Sequence, residues 1–342
     1  MLHSLIVGFG LAGMAYAEQL HKNNLSYRIV YQPGGGSSLQ AAGVFNPTIL
    51  KRYTLAWKAL SFYQEALDFY NQQAQRLNKN YLQFLPILKI FPSPSEHNRW
   101  LTAAGSPGLD QFLDAQIYHS VIPGFKSSSG FGKVEGGGRL RIGALQEALI
   151  RENPMIFREE LFDHDALKIH ADGIEYKGIQ AKHLVFCQGF EIHQNPLFKL
   201  PVLNGCKGEF FVVEAPDWPE DFILKSSIFI VPLGGHRFWV GATFDWQDKS
   251  ISPTTQGEKW LKDRLSRITQ SPYRIVDHRA QVRPTVSDRR PLVLQHPDFK
   301  PLYALNGLGA RGVLMAPQLS RILFEAIQYK QPIPEDLGLQ RF

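Results

Sequence analysis

Apolar residues gather first in the run Leu2 to Val7. They continue, after Gly8-Phe9-Gly10-Leu11-Ala12-Gly13, through MAYAEQLHKNN, whose apolar positions suit a helix packed on a sheet. The next apolar run, Tyr27 to Tyr31, reads as a second buried strand. Strand, helix and strand in that order predict a βαβ opening, the unit of doubly wound α/β folds. A glycine-rich loop, GGGSSLQAAGVFNP, comes next. From Leu50 to Asn78, the residues Tyr53, Trp57, Leu60, Tyr63, Leu67 and Tyr70 recur at spacings of 4, 3, 3, 4 and 3, which predicts one face of a long amphipathic helix.

Residues 92–138 are dense in Pro, Gly and Ser, and such breakers predict loops and a crossing between domains. Arg141 to Arg151 reads as a helix, and 182–189 (KHLVFCQG) as a buried strand closing on Gly189. Between 206 and 244 the pattern becomes short strands, with alternation at Phe238, Val240 and Ala242, so an antiparallel sheet is expected. A helix over Gly257 to Ile268, the strand LYALN, a glycine loop and a helix with Leu319, Ile322, Leu323, Ala326 and Ile327 on one face close the chain. The pattern leaves and re-enters α/β, so the expected domains are discontinuous: 1–80, 139–200 and 283–342 in a nucleotide-binding domain, 81–138 and 201–282 in a substrate domain.

Composition narrows the class. A chain of 342 residues with 44% hydrophobic and 20% charged residues is long enough for two cores and has an ordinary globular balance. The net charge of +6 is spread along the chain, which permits nucleic acid as a partner without favouring it. The two cysteines, Cys187 and Cys206, sit in apolar strand-like stretches and read as reduced core thiols. No run approaches 18 apolar residues and no signal peptide precedes the first strand, so a cytoplasmic protein without a membrane partner is expected. The 11 histidines show no metal-ligand spacing, and no metal is expected.

The chemistry gathers at glycines. In Gly8-x-Gly10-x-x-Gly13 the first glycine permits the tight turn, the second lets backbone approach a pyrophosphate, and the third lets helix and strand pack closely. Leu11 and Ala12 then open the helix whose amides hold the anion. The acid expected at the end of the second strand, which would bind ribose hydroxyls, is absent; Tyr31 and Gln32 stand there, and Gln32 is the residue left to meet the ribose. A second match, Gly307-Leu308-Gly309-Ala310-Arg311-Gly312, is followed by only 30 residues and no further strand. It reads as a helix amino terminus aimed at a ligand already held by the first motif, with Arg311 adding a full positive charge. Arg283, in AQVRPT, is placed to grip a carboxylate bidentately or to form a structural salt bridge, for instance with Asp288.

IVGFGLAG, AAGVFNP, LVFCQG, VPLGG…RFWVGATFDW, VRPTVSDRRPLV and NGLGARGVLMAPQL together resemble the D-amino acid oxidase (DAO) family of FAD-dependent oxidoreductases, nearly end to end. The family includes glycine oxidase, sarcosine oxidase and the FAD domain of the bifunctional enzyme that modifies the tRNA wobble uridine. The resemblance implies a Rossmann-like FAD-binding domain joined to a substrate domain on a mainly antiparallel sheet. It places Gly309, Arg311 and Gly312 beside the flavin ring, Ser38, Ala42 and Gly43 along the ring or its linker, Gly189 and Val313 among the cofactor-binding residues, and Arg283 at the substrate carboxylate. The flavin is expected to be non-covalent, because neither cysteine occupies the place at which relatives attach it.

The implied chemistry is hydride transfer from the α-carbon of a small amine or amino acid to flavin N5, giving an imine that water hydrolyses. Arg283 and Arg311 are the residues expected to carry it, with oxygen or another acceptor reoxidising the flavin. Two alternatives stay open at this point: the same oxidation on a modified tRNA wobble uridine, and a non-catalytic nucleotide-binding protein.

Overall fold

The computed structural model describes Met1–Phe342 and holds two principal sheets. In the eight-stranded sheet, Leu2–Val7 runs parallel between Tyr27–Tyr31 and Ile179–Phe186, and Phe157–Glu159 adds a parallel strand beyond Tyr27–Tyr31. Leu302–Asn306 lies parallel to the end of Ile179–Phe186, with Leu292–Gln295 antiparallel beyond it. Such strands are buried on both faces, which is why they read as continuous apolar runs. One face carries the helices Leu11–Lys22, Ala59–Arg76 and Gly312–Tyr329 over a core of 37 buried residues. The other covers a second core of 19.

The seven-stranded sheet runs in the order Arg274–Arg283, Cys206–Glu214, Arg237–Gly241, Phe229–Gly234, Ile223–Lys225, Ile87–Ile90, Phe131–Val134. It is antiparallel except where Ile223–Lys225 meets Ile87–Ile90. Phe238 and Val240 are buried in its outer core with Leu261 and Leu265 of the helix Thr255–Ser266. That helix is capped by the Thr254 hydroxyl, which accepts from the Gly257 amide at 2.9 Å.

Three expectations are corrected. The helix expected from Leu50 begins only at Ala59, because Thr48–Ile49 and Thr54–Leu55 pair antiparallel across a turn with Tyr53 at φ 55°. Its buried face is Phe62, Ala66, Phe69, Tyr70 and Gln73, whereas Leu60 is exposed. Tyr53 packs edge-on against Trp100 in another cluster, so a helical spacing here joined residues that serve two different cores. Second, the breaker-rich segment contains the helix Glu96–Ala104 and the strand Phe131–Val134. Gly132 there makes room for Trp100, since a Cβ on it would fall 2.3 Å from Trp100 Cε2. Third, Arg283, where the last expected segment begins, is the closing residue of a strand of the seven-stranded sheet.

Candidate active site

The strands Leu2–Val7, Tyr27–Tyr31 and Ile179–Phe186 end on one crevice, the position at which open α/β sheets hold ligands. Gly8 turns the chain there at φ 98°, its amide donating to Val30 O at 2.8 Å. A Cβ on Gly8 would lie 2.5 Å from Cys187 O, and one on Gly13 would lie 2.0 Å from Gly8 O. Gly13 is thus the packing glycine and does not line the crevice, while Gly8, Gly10, Leu11 and Ala12 do. The helix Leu11–Lys22 has no acidic residue in its first turn, and Ser38 Oγ accepts the Leu11 amide at 3.1 Å. Its positive end is left open to an anion.

The crevice is continuous with a cavity of about 400 Å³ that runs to the seven-stranded sheet. Gln32, Ser38, Ala42, Gly43, Gly189, Gly309, Arg311, Gly312 and Val313 all line it. Arg311 precedes the helix Gly312–Tyr329 and donates from Nη1 to Asn46 O at 2.9 Å and from Nη2 to Thr48 O at 3.3 Å. Burial draws its guanidinium below the ordinary range, with no carboxylate nearby to offset this. Gly309 N donates to Pro284 O at 3.0 Å, which ties this loop to the segment that follows Arg283.

On the opposite wall, Arg283 spreads over the Phe244 ring, 4.8 Å from its centroid, and donates to Thr243 O at 3.4 Å. Asp288, the partner expected for a structural salt bridge, is paired with Arg341 at 2.8 Å instead. Burial lowers the Arg283 guanidinium too, and the only group opposing that is the neighbouring Cys206 thiol. Gly208 gives the guanidinium its space, for a Cβ there would lie 2.1 Å from Arg283 Nη2. Gly208 is held on both sides. Lys207 Nζ is buried on Asp248, Ser250 and Ser252, and Glu209 on Thr254 and His278. Phe210 and Trp239 stack beside it with centroids 5.1 Å apart, and Trp239 Nε1 donates to Gln40 O at 3.1 Å.

Sequence reasoning missed two acids of the crevice and one lysine of the cavity: Glu160, Glu191 and Lys225. Tyr31 packs edge-on against Phe9 and Phe157 with its hydroxyl donating to Glu159, and both Tyr31 and Gln32 line the crevice at the strand end. Glu160 is committed to Tyr176, Arg158 and Lys177. Glu191 has no ionic partner; it is accessible in the open crevice yet packed closely enough that burial pushes its carboxyl up. Its Oε1 and the Gln32 side chain both flank Gly35. A residue 159 positions after Gln32 gives no local signal of this proximity.

A glycine cradle that side chains would fill, an open helix amino terminus and two cations free of acids fit a dinucleotide with a redox-active ring. The chain belongs to the DAO family of FAD dependent oxidoreductases, which matches residues 3–326. It is 27% identical over 190 residues to glycine oxidase of Bacillus subtilis (strain 168), a stretch covering 50% of this chain and 50% of that protein. Its fold is that of glycine oxidase from Geobacillus kaustophilus, with a TM-score of 0.74 and 19% identity over 100% of this chain and 99% of that one. L-amino acid deaminase from Proteus vulgaris shares it at a TM-score of 0.78 and 12% identity, over 100% and 97% of the two chains. No helix is long and apolar enough to cross a membrane.

Proposed function

We propose that this chain oxidises the C–N bond of a small amine or amino acid that carries a carboxylate, using non-covalent FAD. The observation that carries the reading is Arg283, a guanidinium without an acidic partner on the cavity wall facing the nucleotide crevice. FAD, when bound, supplies a two-electron acceptor for the hydride that leaves the α-carbon. Arg283 holds the carboxylate by two parallel hydrogen bonds and so fixes the α-carbon's position. The stacked Phe210 and Trp239 supply an apolar wall beside the reacting bond. Arg311 and the amides of the helix it precedes stabilise negative charge that develops on their side of the cavity. The proton lost from nitrogen goes to solvent, and water hydrolyses the resulting imine.

The division into domains belongs to the same proposal. The eight-stranded sheet with its helices forms the FAD domain, and the seven-stranded sheet, including Arg283, forms the substrate domain. The purified protein should show two flavin bands in the visible and release FAD on denaturation. An amine with a carboxylate should bleach the bands under anaerobic conditions, and peroxide formation in air would identify oxygen as the acceptor. A protein that takes up FAD but is bleached by no amine or amino acid refutes the reading.

Within it, Glu191 with Gln32 takes the place of the absent ribose acid. Glu191→Gln should weaken FAD binding roughly tenfold, the loss of one charge-assisted hydrogen bond. Quenching of flavin fluorescence on titration into apoprotein measures this. FMN, which lacks the adenosine ribose, should bind the variant and the wild type equally; equal FAD affinities would remove Glu191 from the site.

A further inference from the structure

Lys225 ends the strand Ile223–Lys225, and the parallel neighbour Ile87–Ile90 sets Lys89 directly beside it in register. Side chains alternate between faces along a strand. Leu224, Leu88 and Ile90 pack into the outer core, whereas Ile223 and Ile87 lie in the inner one, so both lysines stand on the inner face toward the cofactor crevice. Lys225 lines the cavity together with Phe229, over whose ring its ammonium sits at 4.5 Å.

Like charges side by side on a ladder repel. Here neither is neutralised. Lys225 Nζ donates to Ser226 O at 2.7 Å and Lys89 Nζ to Ile90 O at 2.9 Å, each a carbonyl of the next residue. Glu96, the acid whose field reaches Lys89, is itself engaged by Tyr53 and Arg99. No acid acts on Lys225; burial, then Lys89 and Lys51, pull it down to about 7. Burial beside a second ammonium disfavours the charged form of Lys225, and an anion joining the pair restores it. Four ladder steps of about 4.8 Å separate the strand of Arg283 from that of Lys225, too wide a gap for one carboxylate to meet both.

We propose that Lys225, backed by Lys89, binds a second anionic group of the substrate, which is therefore an extended amine with a carboxylate for Arg283 and a further carboxylate or phosphate at its far end. This rests on the function proposed above and names its substrate class. Glycine and other short amino acids are then poor substrates, because they leave Lys225 unpaired.

The test uses FAD-loaded protein and non-reacting ligands, read by perturbation of the flavin absorption bands: hexanoate against adipate, decanoate against sebacate, and 6-phosphonohexanoate. In the wild type at least one dianion should bind about tenfold or more tightly than the monoanion of the same chain length. Lys225→Met should bring that ratio close to one while leaving hexanoate affinity within about twofold, and Lys225→Arg should keep the preference. A larger gain from the phosphonate than from adipate assigns the far group as phosphate, and the reverse assigns it as carboxylate. Equal affinities for monoanions and dianions in the wild type, or a preference that survives Lys225→Met, overturn the proposal. Hexanoate binding that is indifferent to Arg283→Leu contradicts the proposed function itself and takes this inference with it.

Discussion

Arg283→Leu should lower kcat/KM for any carboxylate-bearing amine by roughly 10²- to 10³-fold, the consequence of removing one partner of a desolvated, bidentate ion pair. Flavin content should be unchanged, because Arg283 belongs to the seven-stranded sheet and makes no contact that shapes the glycine cradle. The partition between parameters is informative. If the guanidinium binds the carboxylate equally in the ground and transition states, KM rises and kcat holds; if it also aligns the α-carbon, both change. Gly208→Ala approaches the same site from behind. The new methyl would occupy space 2.1 Å from Arg283 Nη2, and the backbone between Lys207 and Glu209 is fixed by their buried networks, so the guanidinium has to move. A displacement of about 1 Å is enough to cost up to 10²-fold in rate. Steady-state kinetics on the two FAD-loaded variants, with flavin content measured in parallel, decides the matter. Wild-type kinetics in Arg283→Leu would remove that residue from the site.

The parallel sheet was legible because its strands are buried on both faces and therefore written as unbroken apolar runs. The glycine cradle was legible because each glycine answers a local steric demand within a few residues of itself. What escaped the sequence was set by distant packing. Tyr53 and Trp57 continue a helical spacing, yet a hairpin at 48–55 precedes the helix and delivers Tyr53 to Trp100. Arg283 was recognisable, but its freedom from Asp288 was not, since that depends on Arg341, 53 residues further on, claiming the acid. Lys225 reaches the cavity from a segment with no motif around it, through its place in the seven-stranded sheet, whereas Glu191 lies two residues beyond the LVFCQG motif and what stayed hidden was its approach to Gln32 and Gly35.

Gly13→Ala should be the more severe change, although Gly13 touches no ligand. Its Cβ would meet Gly8 O at 2.0 Å, and Gly8 is itself wedged against Cys187 O, so neither backbone can retreat without separating the helix Leu11–Lys22 from the strands Leu2–Val7 and Ile179–Phe186. Overpacking between backbones costs about 1–3 kcal/mol, and more where no side chain can yield. The same shift moves the helix amino terminus off the pyrophosphate position, so FAD affinity should fall at least 100-fold. Because FAD binds only the folded chain, the variant also loses the stabilisation that saturating cofactor adds, about 2.7 kcal/mol at a hundredfold excess over Kd. Melting with and without added FAD separates the two terms: the apoprotein should melt lower than wild-type apoprotein, and FAD should raise the variant's Tm far less. Gly143→Ala is the matched control. Gly143 lies in the first turn of the helix Ile142–Glu152 with open space where its Cβ would go, so alanine there should leave stability unchanged or raise it by at most about 0.5 kcal/mol and leave FAD affinity untouched. A Gly13→Ala protein with wild-type FAD affinity would mean that this helix amino terminus does not hold the cofactor.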